Sequence, residues 1–600
     1  MHNIHIPVMG TGFSIDTPIR VAQFGISSVI SIMDDILIEK VREHYSQMYN
    51  LPFNPISRWS EDARSKRITA YLNIVQEIVE IKFNKIKDLP FFESNDKQKY
   101  FSMLPDRSLL KIDYNRLLKM DPSNERDIAE KELTNAMVKG SIDVNIMVKL
   151  DKENLDRKGK ALPPEYSDGK SALRGYANSS LDSSIIFSAG INQSMYSYMS
   201  NFMDFYRDKN GYIKKKIIIK VSDFRSALIQ GKFLAKKGLE VYEFRIESGL
   251  NCGGHAFASN GQLLPVLLKE IHDKRNQLAS SFRPLIKKYY ENKGLEYPIS
   301  CETHNPLITV QGGIGTSGEV QRLQNDFNID KVGIATPFLL VPEATCVEPT
   351  TFNQLKDAEQ DDLYLSDVSP LGVPFNNLRN SVSEQYTTGQ FEKGSPGSPC
   401  PKGFLVSNTE FTEAPICTAS KNYQKTKLAQ ISANVLSTLE QKFEETKVVV
   451  KTCICDHLGN GALINLGLKK ESKAPQAVCP GQNISWFNRE YSLSEMMAHF
   501  YNSKKDLVSS ERPHMFAKEI QMYVDYFDKL VKESEINEKV SKTLKEFYQN
   551  MKDGMEYCKT FANKKPYPTE NIDSINLWID EQKDRLESIY QTMFLEKIEA

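Results

Sequence analysis

Three observations predict an α/β fold, and specifically a TIM-type (β/α)8 barrel. Strands and helices alternate, the strands are near-continuous apolar runs, and two consecutive strands late in the chain end in glycine-rich or hydroxyl-bearing turns. The barrel is expected over residues 1–33 and 139–346. A helical insertion at 34–138 interrupts it, and a cysteine-rich irregular extension at 347–485 and an α-helical region at 486–600 follow. Six hundred residues are too many for one hydrophobic core, so several such units are expected.

The elements justify this in order. A short strand, Ile4 to Met9, runs into Gly10-Thr11-Gly12, and an apolar segment rich in small residues covers Val21 to Ile32. Long charged segments with helical spacing follow, in which Ile74, Val75, Ile78 and Ile81 share one face. Strand-like runs return at Ile142 to Val148, Ser184 to Ser188, Ile217 to Val221, Val241 to Ile246, Leu307 to Val310 and Lys331 to Ile334. Helical patterns lie between several of them, as at Ser222 to Lys237 and Leu263 to Lys288. From Val347 to about Ser485 the chain is rich in Pro, Gly and Cys, and past Tyr491 it is polar and helical.

Composition excludes some classes of function. Lys+Arg at 76 against Asp+Glu at 77 gives no basic surface for nucleic acid or an anionic membrane. No apolar stretch approaches the roughly 20 residues a membrane span requires, and the first residues lack the basic-then-apolar order of a signal peptide. A cytoplasmic, reducing setting is expected, where the nine cysteines serve metal, redox chemistry or packing rather than disulfides.

The most informative segment is Ile308 to Phe338. A strand enters Gly312-Gly313-Ile314-Gly315 ahead of a helix near Ser317, and a second strand ends in Ala335-Thr336-Pro337. Glycines let backbone N–H groups approach an anion, the helix N-terminus adds a favourable dipole, and two adjacent strand ends form a phosphate cup. The competing reading is a tight strand-to-helix corner. In a second segment a strand delivers Glu247 and then Gly249, Cys252, Gly253, Gly254 and His255. An imidazole at the C-terminal end of a barrel strand suits general acid–base catalysis, the alternative being a structural loop histidine.

These motifs together resemble the nitronate monooxygenase family, the 2-nitropropane dioxygenase-like proteins, which are related to FMN-dependent enoyl-acyl-carrier reductases. The resemblance rests on Pro7-Val8-Met9-Gly10-Thr11-Gly12, the segment around Gly25, Val144-Asn145, Cys252-Gly253-Gly254-His255, Gly312-Gly313-Ile314 and Ala335-Thr336-Pro337-Phe338. Glu343 and Pro374 to Asn380 also match the family's pattern. It implies an FMN-binding barrel with the phosphate at Gly312, Gly313, Gly315 and Thr336, and Ala335 among the cofactor-binding residues. It further implies cofactor contacts at Met9, Gly10, Thr11, Asn145, Gly253 and Gly254, and a catalytic role for His255. Ala335 replaces the usual glycine and Cys252 the usual alanine. The insertion after Met33 and the chain past about residue 385 have no counterpart in the family.

Five cysteines, Cys400, Cys417, Cys453, Cys455 and Cys479, fall within eighty residues beside Pro and Gly. They suggest a [4Fe-4S] cluster, a zinc site or unliganded thiols, with His457 able to replace one ligand. Cys301 with His304 is a weaker metal pair, and the Met195 to Phe205 run reads as core.

The reading is an FMN-dependent oxidoreductase of the nitronate monooxygenase/enoyl reductase type, with a reductase or dehydrogenase preferred because of the cysteines. Its substrate is a small or acyl-carrier-bound organic molecule, and NAD(P)H or an electron-transfer partner is the source of electrons. A flavin-free phosphate-binding barrel enzyme and a non-catalytic scaffold are the alternatives. The charged helices are compatible with a homo-oligomer under all three.

Overall fold

Eight short parallel strands close on themselves in chain order: β1 (Ile4–Ile6), β2 (Ser27–Ser31), β3 (Ile142–Asn145), β4 (Ser183–Phe187), β5 (Lys215–Val221), β6 (Val241–Glu247), β7 (Leu307–Gln311) and β8 (Lys331–Gly333). β1 pairs with both β2 and β8, so no edge is left open. The chain is therefore an α/β protein built on a (β/α)8 barrel. This computed structural model describes residues 2–146, 151–298, 304–502, 505–534 and 538–599. The last residues of the expected Ile142 to Val148 strand, and Cys301, lie outside the described residues.

Alternation along the strands separates two environments. Val144, Ile219, Phe244, Ile246 and Val310 join the main hydrophobic core, which lies between strands and outer helices. Their neighbours Asn145, Lys220, Arg245, Glu247 and Gln311 line a cavity at the barrel's centre instead. β6 thus carries charges at every second position, at Glu243, Arg245 and Glu247, and β5 adds Lys220 near its end, a signal hidden when the strands are read as apolar runs.

The insertion between β2 and β3 is helical, with Asp35–Met48, Ala63–Lys87, Asp96–Ser102, Leu109–Leu117 and Asn124–Ala136. Helix Ala63–Lys87 buries Ile68, Leu72, Ile74, Val75 and Ile78. It approaches helix Asp168–Ala177 closely enough that a Cβ on Gly175 would lie 2.8 Å from Ile68. Ile81, expected on the same buried face, is 45% exposed. The Met195 to Phe205 run is core at Met195, Tyr196, Met199 and Phe205, whereas Met203 is exposed.

The extension after the barrel is more regular than its composition suggested. It holds helices Pro349–Lys356, Val382–Glu392, Lys421–Ala433, Thr438–Val449 and Ile454–Asn465, and a hairpin of β9 (Leu363–Ser366) and β10 (Phe375–Leu378). Helices Val382–Glu392, Lys421–Ala433 and Thr438–Val449 bury few residues each, so the apolar period that announces a helix is nearly absent. Caps define them instead: Ser381, Ser420 and Ser437 each accept a first-turn N–H, and Ser437 with Glu440 forms a capping box.

Helices Met515–Glu533, Glu538–Ala562 and Asp573–Glu599 do not project as a tail. Ile520, Tyr523, Phe527, Phe547 and Met551 belong to the same core as the barrel residues. Among the described residues, no helix is long and apolar enough to cross a membrane.

Candidate active site

The cavity lies at the C-terminal ends of the strands, beneath a roof from the extension, and measures about 260 Å³. Val8, Val29, Ile186 and Ile218 cluster at its base, and Met9 borders it. Lys220, Arg245, Glu247 and Gln311 also line it. Lys220 Nζ donates to both Glu247 oxygens at 2.9 and 3.1 Å, and Gln311 Nε2 donates to Glu247 Oε1 at 2.5 Å. Arg245 is paired deeper in the barrel with Glu243 at 2.6 Å. His5 is buried beside Gly333, where a Cβ would lie 2.8 Å from its Nε2. Burial, with Arg245 and Lys331 nearby, holds the His5 pKa well below its usual value, so the ring is neutral.

Four polar atoms of cavity-lining residues are buried without a hydrogen-bond partner among the described residues: Thr11 Oγ1, Asn145 Oδ1, Asn251 Oδ1 and Gln311 Oε1. A buried polar atom left unmet costs about 1–3 kcal/mol, so such a concentration in one cavity requires a physical account.

Two loops wall the cavity. After β7, Gly312, Gly313 and Ile314 line it, and after β8 Ile334, Ala335, Thr336 and Pro337 do. Gly313 has φ +74, and a Cβ there would lie 2.2 Å from Asn251 Nδ2, so the turn requires glycine. Gly315 is turned away from the cavity. Its N–H donates to Glu319 Oε2 at 2.7 Å, and the space of its absent side chain is filled by the Arg512 guanidinium. Thr336 Oγ1 accepts the Gly481 N–H at 3.1 Å.

After β6, Asn251 to His255 line the cavity and the roof grips this segment. Asn376 Nδ2 on β10 donates to the Cys252 carbonyl at 2.6 Å, and its N–H donates to the Gly254 carbonyl at 2.9 Å. His255 is half-buried, packs edge-on against Phe375, and shares a 2.8 Å hydrogen bond between Nε2 and Ser369 Oγ. The cavity therefore brings together Met9, Gly10, Thr11, Asn145, Gly253, Gly254, His255, Gly312, Gly313, Ala335 and Thr336, while Gly315 stands outside it.

The cysteine set divides. Cys455 and Cys479 line the cavity, where Cys479 lies against the N–H groups of Gly10 and Gly254 and burial pushes its thiol up to about 12. Cys400 and Cys417 are hydrogen-bonded to each other. That bond and the Gly403 N–H lower the Cys400 thiol to about 7 and raise Cys417. Among the described residues, no three His, Cys, Asp or Glu side chains converge as a metal site, so the five-cysteine ligand set is not assembled. His457 is bonded instead to Ser383 Oγ at 2.8 Å, and burial lowers its pKa to about 4. His304 is exposed. An ion pair fastens the roof: Lys402 Nζ lies 2.6 Å from Asp34 at the barrel mouth and 3.3 Å from Asp456.

Sequence reasoning missed Lys220, Arg245, Gln311 and His5, as well as the roof residues Phe404, Leu405 and Leu458. Period-two charges in β6 were a usable signal for the first group. Nothing local to the sequence announces the roof.

No protein-family model matches the chain, and no curated protein matches it. Among solved structures, it is similar to the enoyl reductase domain of MlnA from the macrolactin biosynthesis cluster of Bacillus amyloliquefaciens. The identity is 15%, the match covers 72% of this chain and 87% of that one, and the TM-score is 0.33.

Proposed function

We propose that the chain is an FMN-dependent oxidoreductase acting on a small or acyl-type organic substrate, with His255 as its acid–base group. The observation that carries this reading is the set of unpartnered atoms at Thr11, Asn145, Asn251 and Gln311 around a cavity with one apolar wall. A flat heteroaromatic ring with a hydrogen-bonding edge meets both demands, whereas water satisfies only the polar side. Asn145 and Gln311 would hold the ring edge, Val29 and Ile186 its apolar end, and the Gly312-Gly313 and Ala335-Thr336 turns its phosphate. When bound, FMN supplies acceptance and donation of a hydride or of single electrons.

The chain's own residues do the rest. Lys220 places a positive charge at the polar wall, partly balanced by Glu247. The roof shields the cavity from water through Phe404, Leu405, Ile454 and Leu458. His255 exchanges a proton with substrate, and its ring is oriented by Ser369 and Phe375. A reductase was preferred on the strength of a cysteine-bound cluster. With that ligand set not assembled among the described residues, the preference drops out of the reading.

The test is the visible spectrum of the purified chain. Flavin bands in the region of roughly 370 and 450 nm, with FMN released on denaturation, are expected. NAD(P)H should bleach the longer-wavelength band anaerobically. His255→Ala should keep the flavin and lose turnover of a nitronate or enoyl thioester by roughly 10²–10⁴-fold. A colourless protein that takes up no added FMN ends the flavin reading, and phosphate-ester binding by that same protein would select the flavin-free barrel.

A further inference from the structure

The β6 loop, residues 249–263, carries Asn251 to His255 into the cavity, and its two ends meet at one side chain from the far end of the chain. Glu519, on helix Met515–Glu533, accepts the Ser248 hydroxyl at 2.5 Å through Oε1 and the Leu264 N–H at 2.9 Å through Oε2. Ser248 directly follows β6, and Leu264 opens helix Leu264–Asn292. One carboxylate therefore closes the neck of the loop. Both oxygens are used, and Glu519 is 2% exposed.

Helix Met515–Glu533 and its neighbour Glu538–Ala562 hold the loop at further points. Asn251 Nδ2 donates to the Met515 carbonyl at 3.4 Å. Gly249 lies so close to Tyr523 that a Cβ there would be 2.4 Å from its hydroxyl. Gly261 meets the Phe547 carbonyl with the same closeness, at 2.6 Å from a built Cβ, and Asn550 Nδ2 donates to the Asn260 carbonyl at 2.9 Å. The remaining groups that act on Glu519 electrostatically are the Tyr523 hydroxyl and the Cys558 thiol.

We infer that Glu519 is a positioning residue of the barrel site, a clasp whose two hydrogen bonds set where the loop bearing Asn251 and His255 lies. Its importance for function rests on the flavin reading of the cavity, but the clasp itself rests only on the contacts above. Here Cys252 to His255 lie in no regular element, the loop's one short 3-10 turn coming later at Ser259–Gly261, so their register is set by Asn376 from the roof and by Glu519 at the neck.

Amide hydrogen exchange on the full chain tests this. Glu519→Ala should speed exchange in peptides from 249–263 by on the order of tenfold or more, with β1 to β5 unchanged. Glu519→Gln should restore slow exchange, because its amide oxygen can accept the Leu264 N–H while its NH₂ donates to Ser248 Oγ. Ser248→Ala, a milder change made from the loop side, should give an intermediate rate. FMN affinity should fall several-fold in Glu519→Ala and recover in Glu519→Gln. Unaltered loop exchange in the alanine and Ser248 variants overturns the clasp, as does a folded glutamine variant that fails to rescue. If wild type binds no FMN while exchange follows this pattern, the flavin reading falls and the clasp stands.

Discussion

The loops after β6 and β7 wall the same cavity, and each is tied down by a buried glutamate, yet the two glutamates sit in opposite electrostatic settings. Glu319, beneath the β7 loop, accepts the Gly315 and Met515 N–H groups and is paired with Arg512 at 2.8 Å. Burial alone would raise its pKa, but Arg512, His514 and these hydrogen bonds hold it below the usual carboxylate range. Glu519, beneath the β6 loop, has only the Ser248 hydroxyl and the Leu264 N–H, and burial raises it to about 7. One wall is fixed by a compensated ion pair that stays charged, and the other by a carboxylate that changes state near neutrality. The wall built by the Gly312-Gly313 turn is thus insensitive to ordinary pH, whereas the wall carrying His255 is not.

The strongest way to break this contrast is to remove the cation. Arg512→Ala leaves Glu319 buried and charged and also frees the Gly313 carbonyl and Asn483, which Arg512 holds at 2.7 Å each. Truncating one member of a buried pair costs about 3–5 kcal/mol. Chemical unfolding at pH 7 should show that loss, together with faster amide exchange at Gly312 to Ile314. A loss below about 1 kcal/mol would mean that water reaches Glu319 and that the two walls do not differ.

The next test sharpens the contrast through pH. For Glu519 the folded pKa, about 7, lies above the ordinary 4.5, so its contribution to stability is full below 4.5 and is lost as pH rises through 7. That span corresponds to on the order of 3 kcal/mol. Glu319 has the opposite sign: its contribution is present above 4.5 and is lost as pH falls through its lowered pKa. Glu519→Gln should therefore match wild type near pH 5 and exceed it in stability at pH 8, while Glu319→Gln should be destabilised most at neutral and higher pH. Parallel stability–pH curves for wild type and Glu519→Gln would show that the carboxylate does not titrate in this range.

The barrel, the two glycine loops and His255 were legible because each has a local signature: an apolar strand, a turn that requires glycine, a titratable ring beside small residues. What escaped was set by distant contacts. Arg512, just ahead of helix Met515–Glu533, and Glu519 within it lie in polar sequence, and their burial follows from docking against barrel residues 193 and 271 positions away. The cysteines misled for a related reason. Closeness in sequence suggested one ligand set of five, but the fold sends Cys479 to the cavity, while Cys400, Cys417, Cys453 and Cys455 lie near enough to act on one another electrostatically. Gly315 looked equivalent to Gly313, and only the Arg512 guanidinium packed against it shows that it faces outward.

The smallest expected effect separates neighbouring glycines within the pH-sensitive wall. A Cβ on Gly253 would lie 2.6 Å from the Cys479 carbonyl, so Gly253→Ala must push the loop away from the roof. Gly254 has φ +78, but no atom lies within 4 Å of the position a Cβ would take. Gly254→Ala should therefore cost only the strain of a left-handed alanine, about 1 kcal/mol, and leave the loop's exchange rate near that of wild type. Because Gly254 lines the cavity, the effect should appear instead in affinity for the flavin proposed above. Equal destabilisation by the two substitutions would mean that the roof closes over Gly254 as tightly as over Gly253, and the cavity would then lack the open side that a flat ligand needs.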